Sequence, residues 1–422
     1  MKLRNSRLVR VFAVAAVTAL ALAGCGESGS SSATSTDLGG LKGDPILLGS
    51  ILTITNPAWN NQVMEDVNNA FASYINDQLG GIDGRPVKVE SCDDFGDPAK
   101  TTQCLNNLTD KGVVGFVNNS SLAFGANALP AMEQKGYVNM GGWPVSAAEY
   151  QSKNEFLTSP GASGSYPSLA VFMKAQGADS LAMMYSNTPA GQAASDQIKA
   201  LWQSLGGGTY TGVEFDPTAP DLTPAVAQVK KANPDALILA VGEGAAARLF
   251  QSVQVAGIDA IVGATAAASG KVVQDAAGGA MNDVYFSFAS VPSTMDRDDT
   301  TIYTDVMKKY APDTELTNQG AVAASGMMFA YDTLKGIKGD ITKDSVTQAV
   351  EGTDSWNGFL VHSYDRSTAP QALPSVGNPW NLVAQFKDGS FAPVPVKAEG
   401  DTAAYVQEDG DLSWLAGSPA TS

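Results

Sequence analysis

The chain has 422 residues, 44% of them hydrophobic, and this length predicts two folded domains rather than one. Its 43 glycines and 21 prolines are typical of many short strand–helix connections and not of a helical bundle. The formal charge of −17 argues against nucleic acid as a partner, because a phosphate backbone would repel the chain.

The N-terminus predicts an export signal over residues 1–24. A basic start leads into an apolar run that is too short to span a bilayer. The sequence LAG directly before Cys25 resembles the lipobox of bacterial lipoproteins, in which the thiol takes a diacylglycerol and becomes the new N-terminus. An ordinary signal peptide that happens to contain a cysteine is the alternative. Residues 25–43 predict a flexible tether, so we expect a lipid-anchored protein on the extracytoplasmic face of the cell membrane.

Strand and helix patterns alternate after the tether, which predicts an α/β fold with parallel, doubly wound sheets. A break at Pro160-Gly161 separates two such series, and from Thr300 the pattern becomes helical. Apolar runs of strand length predict strands at Ile46–Leu52, Val87–Glu90, Val113–Val117, Tyr137–Met140, Leu181–Tyr185, Thr209–Phe215, Ala236–Val241, Ala260–Gly263 and Asp283–Phe288. The tail predicts a strand at Leu382–Ala384 and a hairpin through Phe386–Ser390.

The stretch Ile75–Lys100 reads INDQLGGIDGRPVKVESCDDFGDPAK. A glycine pair ends a helix, a strand follows, and Asp97 before Pro98 is typical of a helix N-cap with proline at the first helical position. The stretch resembles the type I periplasmic solute-binding proteins, in particular the leucine/isoleucine/valine-binding branch.

The resemblance implies two doubly wound lobes joined by a three-segment hinge near Leu157, Ala289 and Asn378. Lobe 1 would then consist of residues 44–157 and 290–378. Lobe 2 would consist of residues 158–289 and 379–422.

No catalytic constellation is recognisable. His362 is the single histidine, and the sequence contains no Gly-x-Ser-x-Gly motif for it to serve, so we interpret it as structural. No histidines or cysteines have metal-ligand spacing, and no phosphate-binding loop is present. We therefore expect a protein that is not an enzyme and that has no metal and no cofactor.

Cys92 and Cys104 are the thiols that remain after Cys25. An exported protein meets an oxidising compartment, which favours a disulfide between them. Cys92 ends a predicted strand and Cys104 lies in the second turn of the next helix, so the two can approach each other. Two buried free thiols are the alternative.

The resemblance places ligand groups in loops at the carboxyl ends of strands. In lobe 1 the serine-rich turn with Ser120 and Ser121 would bind a carboxylate, although either serine could instead cap the following helix. The backbone near Gly142 would contribute as well. Trp143 replaces a smaller family residue, and it would offer an aromatic wall together with Trp59.

In lobe 2 the resemblance points to Thr188, Glu243 and Thr265. Thr265 stands where amino-acid binders often hold the carboxylate that pairs the ammonium of the ligand. Glu243 is the residue that could replace this carboxylate. Without such a partner a buried ammonium would be prohibitively costly, so the sequence leaves the ligand open between an amino acid, an amide and a small carboxylate.

The function implied is a monomeric receptor that passes a small ligand to the permease of an ABC importer. A lipoprotein of the same fold that reports ligand to a membrane sensor is a second hypothesis, and a neighbouring permease and ATPase would decide between the two. A lipoprotein hydrolase is a third hypothesis, disfavoured by the lack of a catalytic constellation.

Overall fold

The computed structural model of the chain describes residues 40–56, 59–371 and 373–396. The predicted signal segment, Cys25 and most of the predicted tether lie outside the described residues, as does the predicted lobe 2 segment after Val396. Within the described ranges, none of the helices combines the length and the apolar character needed to cross a membrane.

Strands and helices alternate along most of the described chain, which confirms the α/β fold class. The strands are β1 (Ile46–Leu52), β2 (Val87–Asp93), β3 (Gly115–Val117), β4 (Asn139–Met140), β5 (Glu155–Phe156), β6 (Leu181–Ser186), β7 (Tyr210–Phe215), β8 (Ala236–Ala240), β9 (Ile261–Thr265), β10 (Tyr285–Phe288), β11 (Ser355–Trp356), β12 (Tyr364–Asp365), β13 (Leu382–Lys387) and β14 (Ser390–Pro393). The α-helices are α1 (Gln62–Asp77), α2 (Pro98–Asp110), α3 (Phe124–Asn127), α4 (Leu129–Gln134), α5 (Ala147–Gln151), α6 (Ala162–Ala175), α7 (Pro189–Ser204), α8 (Thr223–Ala232), α9 (Glu243–Ala256), α10 (Lys271–Ala277), α11 (Asp298–Tyr310), α12 (Asn318–Gly336) and α13 (Lys343–Glu351).

The first lobe is built on a parallel sheet of five strands in the order β2-β1-β3-β4-β5. Helix α2 begins as the sequence predicts, because the Asp97 carboxylate accepts hydrogen bonds from the backbone N–H groups of Ala99 and Lys100, each at 2.9 Å. Strand β2 continues past its predicted end at Glu90 to Asp93, since these residues also pair with β1.

Helices α11, α12 and α13 pack in the first lobe although they follow the second lobe in sequence. The ring of Phe71 on α1 lies 6.2 Å from the ring of Tyr303 on α11 and 5.9 Å from the ring of Phe359. All three side chains are fully buried. The core of the first lobe is thus assembled from two separate stretches of the chain.

The second lobe contains a sheet of seven strands in the order β14-β13-β10-β9-β8-β6-β7. Strands β6 to β10 are parallel, and β13 runs antiparallel to β10. The predicted hairpin is present between β13 and β14, where Asp388 and Gly389 both have positive φ, at 49° and 86°.

The chain passes between the two sheets after Phe156, after Phe288 and before Leu382, which confirms the two-lobed fold with a three-segment hinge. Two of the segments are joined to each other, because Leu157 N–H donates to Ser375 O at 3.0 Å and Asn378 Nδ2 donates to Thr158 O at 3.0 Å. The residue at which each lobe begins and ends stays a prediction.

Candidate functional site

The carboxyl ends of the parallel strands in both sheets border the hinge. The chain leaves the first sheet at the end of β5 and the second sheet at the end of β10. Loops that follow the other parallel strands of a sheet lie at that same edge, where open α/β sheets bind their ligands. Every predicted ligand residue lies at one of these two edges, after β1, β3, β4, β6, β8 or β9.

The turn after β3 is held in place by Asn118. Its φ of 54° is left-handed, and its Nδ2 donates to Asn68 Oδ1 at 2.7 Å and to Ala323 O at 2.8 Å. Gly326 on α12 lies against the same amide, and a Cβ at that position would collide with it. The turn that carries the predicted serines is therefore fixed against α1 and α12.

Ser121 directs its hydroxyl into the first lobe. The group donates to the fully buried Asp94 carboxylate, which also accepts from Thr53 Oγ1 at 2.7 Å and from Thr101 Oγ1 at 2.6 Å. The Ser121 hydroxyl also accepts from Ala123 N–H at 3.1 Å, ahead of α3. This contact belongs to the turn before α3 and is not a helix cap, because the N-cap residue of α3 is Ala123.

Ser120 is also fully buried and engaged. Its hydroxyl donates to Trp143 O at 3.0 Å, and its carbonyl accepts from Asn61 Nδ2 at 2.8 Å. Asn61 accepts in turn from Gln319 Nε2 on α12 at 2.7 Å. Ser120 thus links the loops after β1 and β4, and direct ligand contact by either serine stays a prediction.

A disulfide joins β2 to α2 close to the carboxyl edge of the first sheet. Cys92 near the end of β2 is bonded to Cys104 on α2, with their Cα atoms 5.6 Å apart. The structure therefore contains the predicted pairing and not two free thiols. The bond fixes α2 beside the loop that holds Asp94.

The loop after β4 needs glycine. Gly142 has a φ of 111°, and a Cβ there would lie 2.7 Å from Asn119 O. Trp143 follows directly, half-buried against the core of the first lobe. A larger residue at 142 would displace the tryptophan from the turn after β3.

Trp59 is half-buried in the loop after β1, and its backbone N–H donates to Asn56 O at 3.2 Å. Its indole Nε1 is buried and has no acceptor among the described residues. Buried polar groups nearly always have a partner, so this N–H is a donor that a bound molecule could use.

The predicted ligand residues of the second lobe are two exposed side chains and one buried one. Thr188 is exposed and caps α7, accepting from Gly191 N–H at 3.0 Å. Glu243 is exposed in the first turn of α9, directly after β8. Thr265 ends β9, is 7% exposed and pairs with Ser287 on β10. Contact of these three residues with a ligand stays a prediction.

The hinge brings together a pair that the sequence analysis did not connect. The rings of His362 and Trp380 lie 4.3 Å apart, and both residues line a small cavity with Phe288 and Ala289 at the end of β10. His362 thus makes a ring contact within the hinge, and its interpretation as a structural residue stays a prediction. In the sequence, the one feature that could have indicated this contact is the aromatic residue Trp380 close to the polar residues Asn378 and Asn381.

Buried carboxyl groups lie next to the hinge as well. Burial raises the pKa of Glu149 to about 7, against the opposing effect of hydrogen bonds from Ser146 and Val145. Burial, followed by the neighbouring charge of Glu149, raises the pKa of the fully buried Glu155 well above its usual range. Neither residue was singled out from the sequence. Within the described ranges, no cluster of side chains is suited to a metal ion.

Comparisons with known proteins agree with this architecture. A family model described as periplasmic binding protein matches residues 45–374. No curated protein sequence matches the chain.

Three solved structures show the same fold at low identity. A leucine-binding protein from Thermotoga maritima is 15% identical, with a TM-score of 0.64 over 83% of this chain and 98% of that one. A fatty acid ABC transporter substrate-binding protein from Thermomonospora curvata is 17% identical, with a TM-score of 0.64 over 88% and 97%. A solute-binding protein of an ABC transporter from R. palustris, in complex with benzoate, is 15% identical, with a TM-score of 0.63 over 83% and 96%.

Proposed function

The chain belongs to the periplasmic binding protein family, and we propose that it is the lipid-anchored solute receptor of an ABC importer of the branched-chain-amino-acid type. The observation that carries the proposal is the pair of sheets whose carboxyl edges border one three-segment hinge. Rotation about such a hinge closes two lobes on a ligand, and the closed form can then dock on a permease.

The proposed ligand is a small molecule with a carboxylate or amide and a flat or apolar body. The unpaired, buried Nε1–H of Trp59 supports an oxygen acceptor in the ligand. The half-buried Trp143 offers an apolar face beside it. Leucine, a fatty acid and benzoate, the ligands named for the three similar structures, each carry a carboxylate.

An ammonium group on the ligand is the less favoured case. Thr265 supplies no carboxylate, and Glu243 is the one carboxylate among the predicted ligand residues. An α-ammonium that is buried on closure needs such a partner, since an unpaired buried charge is strongly unfavourable. A plain carboxylate needs none.

The membrane location rests on the N-terminal sequence. The basic and apolar start followed by LAG and Cys25 supports a lipoprotein signal. The acidic surface, with a formal charge of −17, is compatible with a monomer that meets a permease and binds no nucleic acid.

A thermal-shift screen of the purified lobes, residues 26–422, tests this proposal. Small carboxylates, amides and amino acids are compared, and mass spectrometry identifies any molecule that co-purifies. We expect one of these classes to raise the unfolding temperature in a concentration-dependent manner. Turnover of a compound, or stabilisation by none of the classes, would contradict the proposal.

A further inference from the structure

Helix α5 connects the loop that carries Trp143 to two segments of the hinge. The Tyr150 hydroxyl oxygen lies 3.2 Å from Pro144 O and 3.0 Å from Pro160 O, so one side chain spans this loop and the first hinge segment. The N–H of Ser375, in the last hinge segment, donates to Tyr150 O at 3.2 Å. Helix α5 is therefore in direct contact with the Trp143 loop and with two hinge segments.

A single carboxyl oxygen holds the start of α5. Glu149 Oε2 accepts from Ser146 Oγ at 2.6 Å, from Ser146 N–H at 2.9 Å and from Val145 N–H at 3.3 Å. Glu149 is 1% exposed, and Gly125 on α3 packs so closely against Ser146 that a Cβ would collide with it. The Trp143 loop is thus hydrogen-bonded to Glu149 through residues 145 and 146, and the close packing of Gly125 leaves it no room to shift toward α3.

Glu149 belongs to a group of acids in which both Glu149 and Glu133 interact with Glu155. Glu155 comes from β5, where its Oε2 accepts from Asn139 Nδ2 at 2.6 Å, and Glu133 comes from α4, where it accepts from the Ser152 hydroxyl. Burial, followed by the neighbouring charge of Glu149, raises the pKa of Glu155 well above its ordinary value. The pKa of Glu149, about 7, makes it the member of the group that changes charge near neutral pH.

We propose that Glu149 is a positioning residue that makes ligand capture depend on pH. An ionised carboxylate is a strong acceptor for the three donors at 145 and 146, whereas the neutral acid is a weaker one. When these bonds open locally Glu149 stays buried and its pKa rises further, because the hydrogen bonds that lower it are lost. Acidification therefore loosens the Trp143 loop and its contact with the hinge at Pro160, whereas complete unfolding exposes the carboxyl and has the opposite dependence on pH. This inference rests on the proposed function, because it takes Trp143 as part of the ligand wall.

Two measurements on the same protein test the inference. Hydrogen exchange of the Val145 and Ser146 amides in the ligand-free protein, expressed as protection factors, reports the loop itself. Titration calorimetry with a carboxylate found in the screen reports affinity. Hydrogen exchange and calorimetry are each measured from pH 5.5 to 8.5. The proteins compared are wild type, Glu149→Gln, Ser146→Ala and the control Glu155→Gln. Thermal unfolding checks that each variant is folded.

In wild type we expect protection and affinity to fall together on acidification, with a midpoint near pH 7. Affinity falls by up to about tenfold at pH 6, where roughly one native molecule in ten keeps the ionised form. Glu149→Gln should remove the pH dependence, and Glu155→Gln should keep it. Ser146→Ala should move the midpoint to higher pH, because it removes a hydrogen bond that lowers the Glu149 pKa.

An unchanged pH profile in Glu149→Gln, or an unchanged midpoint in Ser146→Ala, would overturn the inference. If Glu149→Gln fails to fold, the Ser146→Ala midpoint decides. Failure of every carboxylate to bind at pH 8.5 would refute the proposed function instead, while the exchange profiles would still decide the role of Glu149.

Discussion

The Ser121 hydroxyl donates to the Asp94 carboxylate, and this buried hydrogen bond ties the turn after β3 to the loop after β2. Asp94 accepts from Thr53, Thr101 and the backbone of Gly96 as well. One carboxylate therefore organises three loops at the carboxyl edge of the first sheet.

Ser121→Ala should destabilise the protein, because Asp94 loses a buried donor. The expected loss in the free energy of unfolding is ~1–3 kcal/mol. Urea unfolding of the variant measures it, with Ser204→Ala, an exposed hydroxyl on α7, as the matched control. Unchanged stability combined with a large loss of ligand affinity would instead identify Ser121 as a direct ligand contact.

The Cys92–Cys104 bond should be present in protein exported to its natural compartment, as a single linked pair in unreduced peptide maps. Replacing both cysteines with serine should lower the free energy of unfolding by ~2–4 kcal/mol, since the unfolded chain regains conformational freedom. Free thiols at both positions, or a double variant as stable as wild type under oxidising conditions, would contradict this expectation.

Glu149 should make stability depend on pH. Its pKa in the folded protein, about 7, lies above the ordinary value of 4.5, so its favourable contribution is complete below pH 4.5 and is lost as pH rises through 7. Relative to Glu149→Gln, wild type should lose about 3 kcal/mol of unfolding free energy over that window. Chemical unfolding of both proteins at several pH values measures the difference, and a constant difference would refute the assignment.

Cys25→Ala should block lipid attachment and the lipoprotein-specific cleavage while the folded lobes remain intact. The reason is chemical, because the thiol is the atom that takes the diacylglycerol. Membrane fractionation and intact-mass analysis of the N-terminus measure the result. Wild-type protein that is cleaved elsewhere and keeps an unmodified Cys25 would show that the signal is an ordinary one.

Local rules predicted much of the fold. Asp97 and Pro98 start α2 as expected, because capping depends on neighbouring backbone groups alone. Buried strands such as β8 read directly as apolar runs. In contrast, β5 was missed because it has two residues and one of them is Glu155, whose buried carboxyl accepts from Asn139, a contact set by the tertiary fold.

The candidate site could be predicted in place but not in detail. The family resemblance put Ser120 and Thr265 at the carboxyl ends of strands, in agreement with the rule that open α/β sheets bind ligands there. Ser120 bonds to Trp143 O and to Asn61, which lie in loops after other strands. No local sequence pattern predicts contacts between residues so far apart in the chain. Side-chain direction is set by tertiary packing, which is why the buried state of both serines was not foreseen.

Calorimetric titration of wild type, Trp143→Ala and Glu243→Gln with leucine, benzoate and a fatty acid decides which class of ligand the protein binds. We expect a carboxylate without an ammonium to bind. Trp143→Ala should weaken this binding strongly through loss of the apolar wall, and Glu243→Gln should weaken it far less. Were the ligand an amino acid paired by Glu243, Glu243→Gln would abolish its binding. Tight binding of leucine that survives both substitutions would show that the ligand lies elsewhere in the protein and touches neither Trp143 nor Glu243.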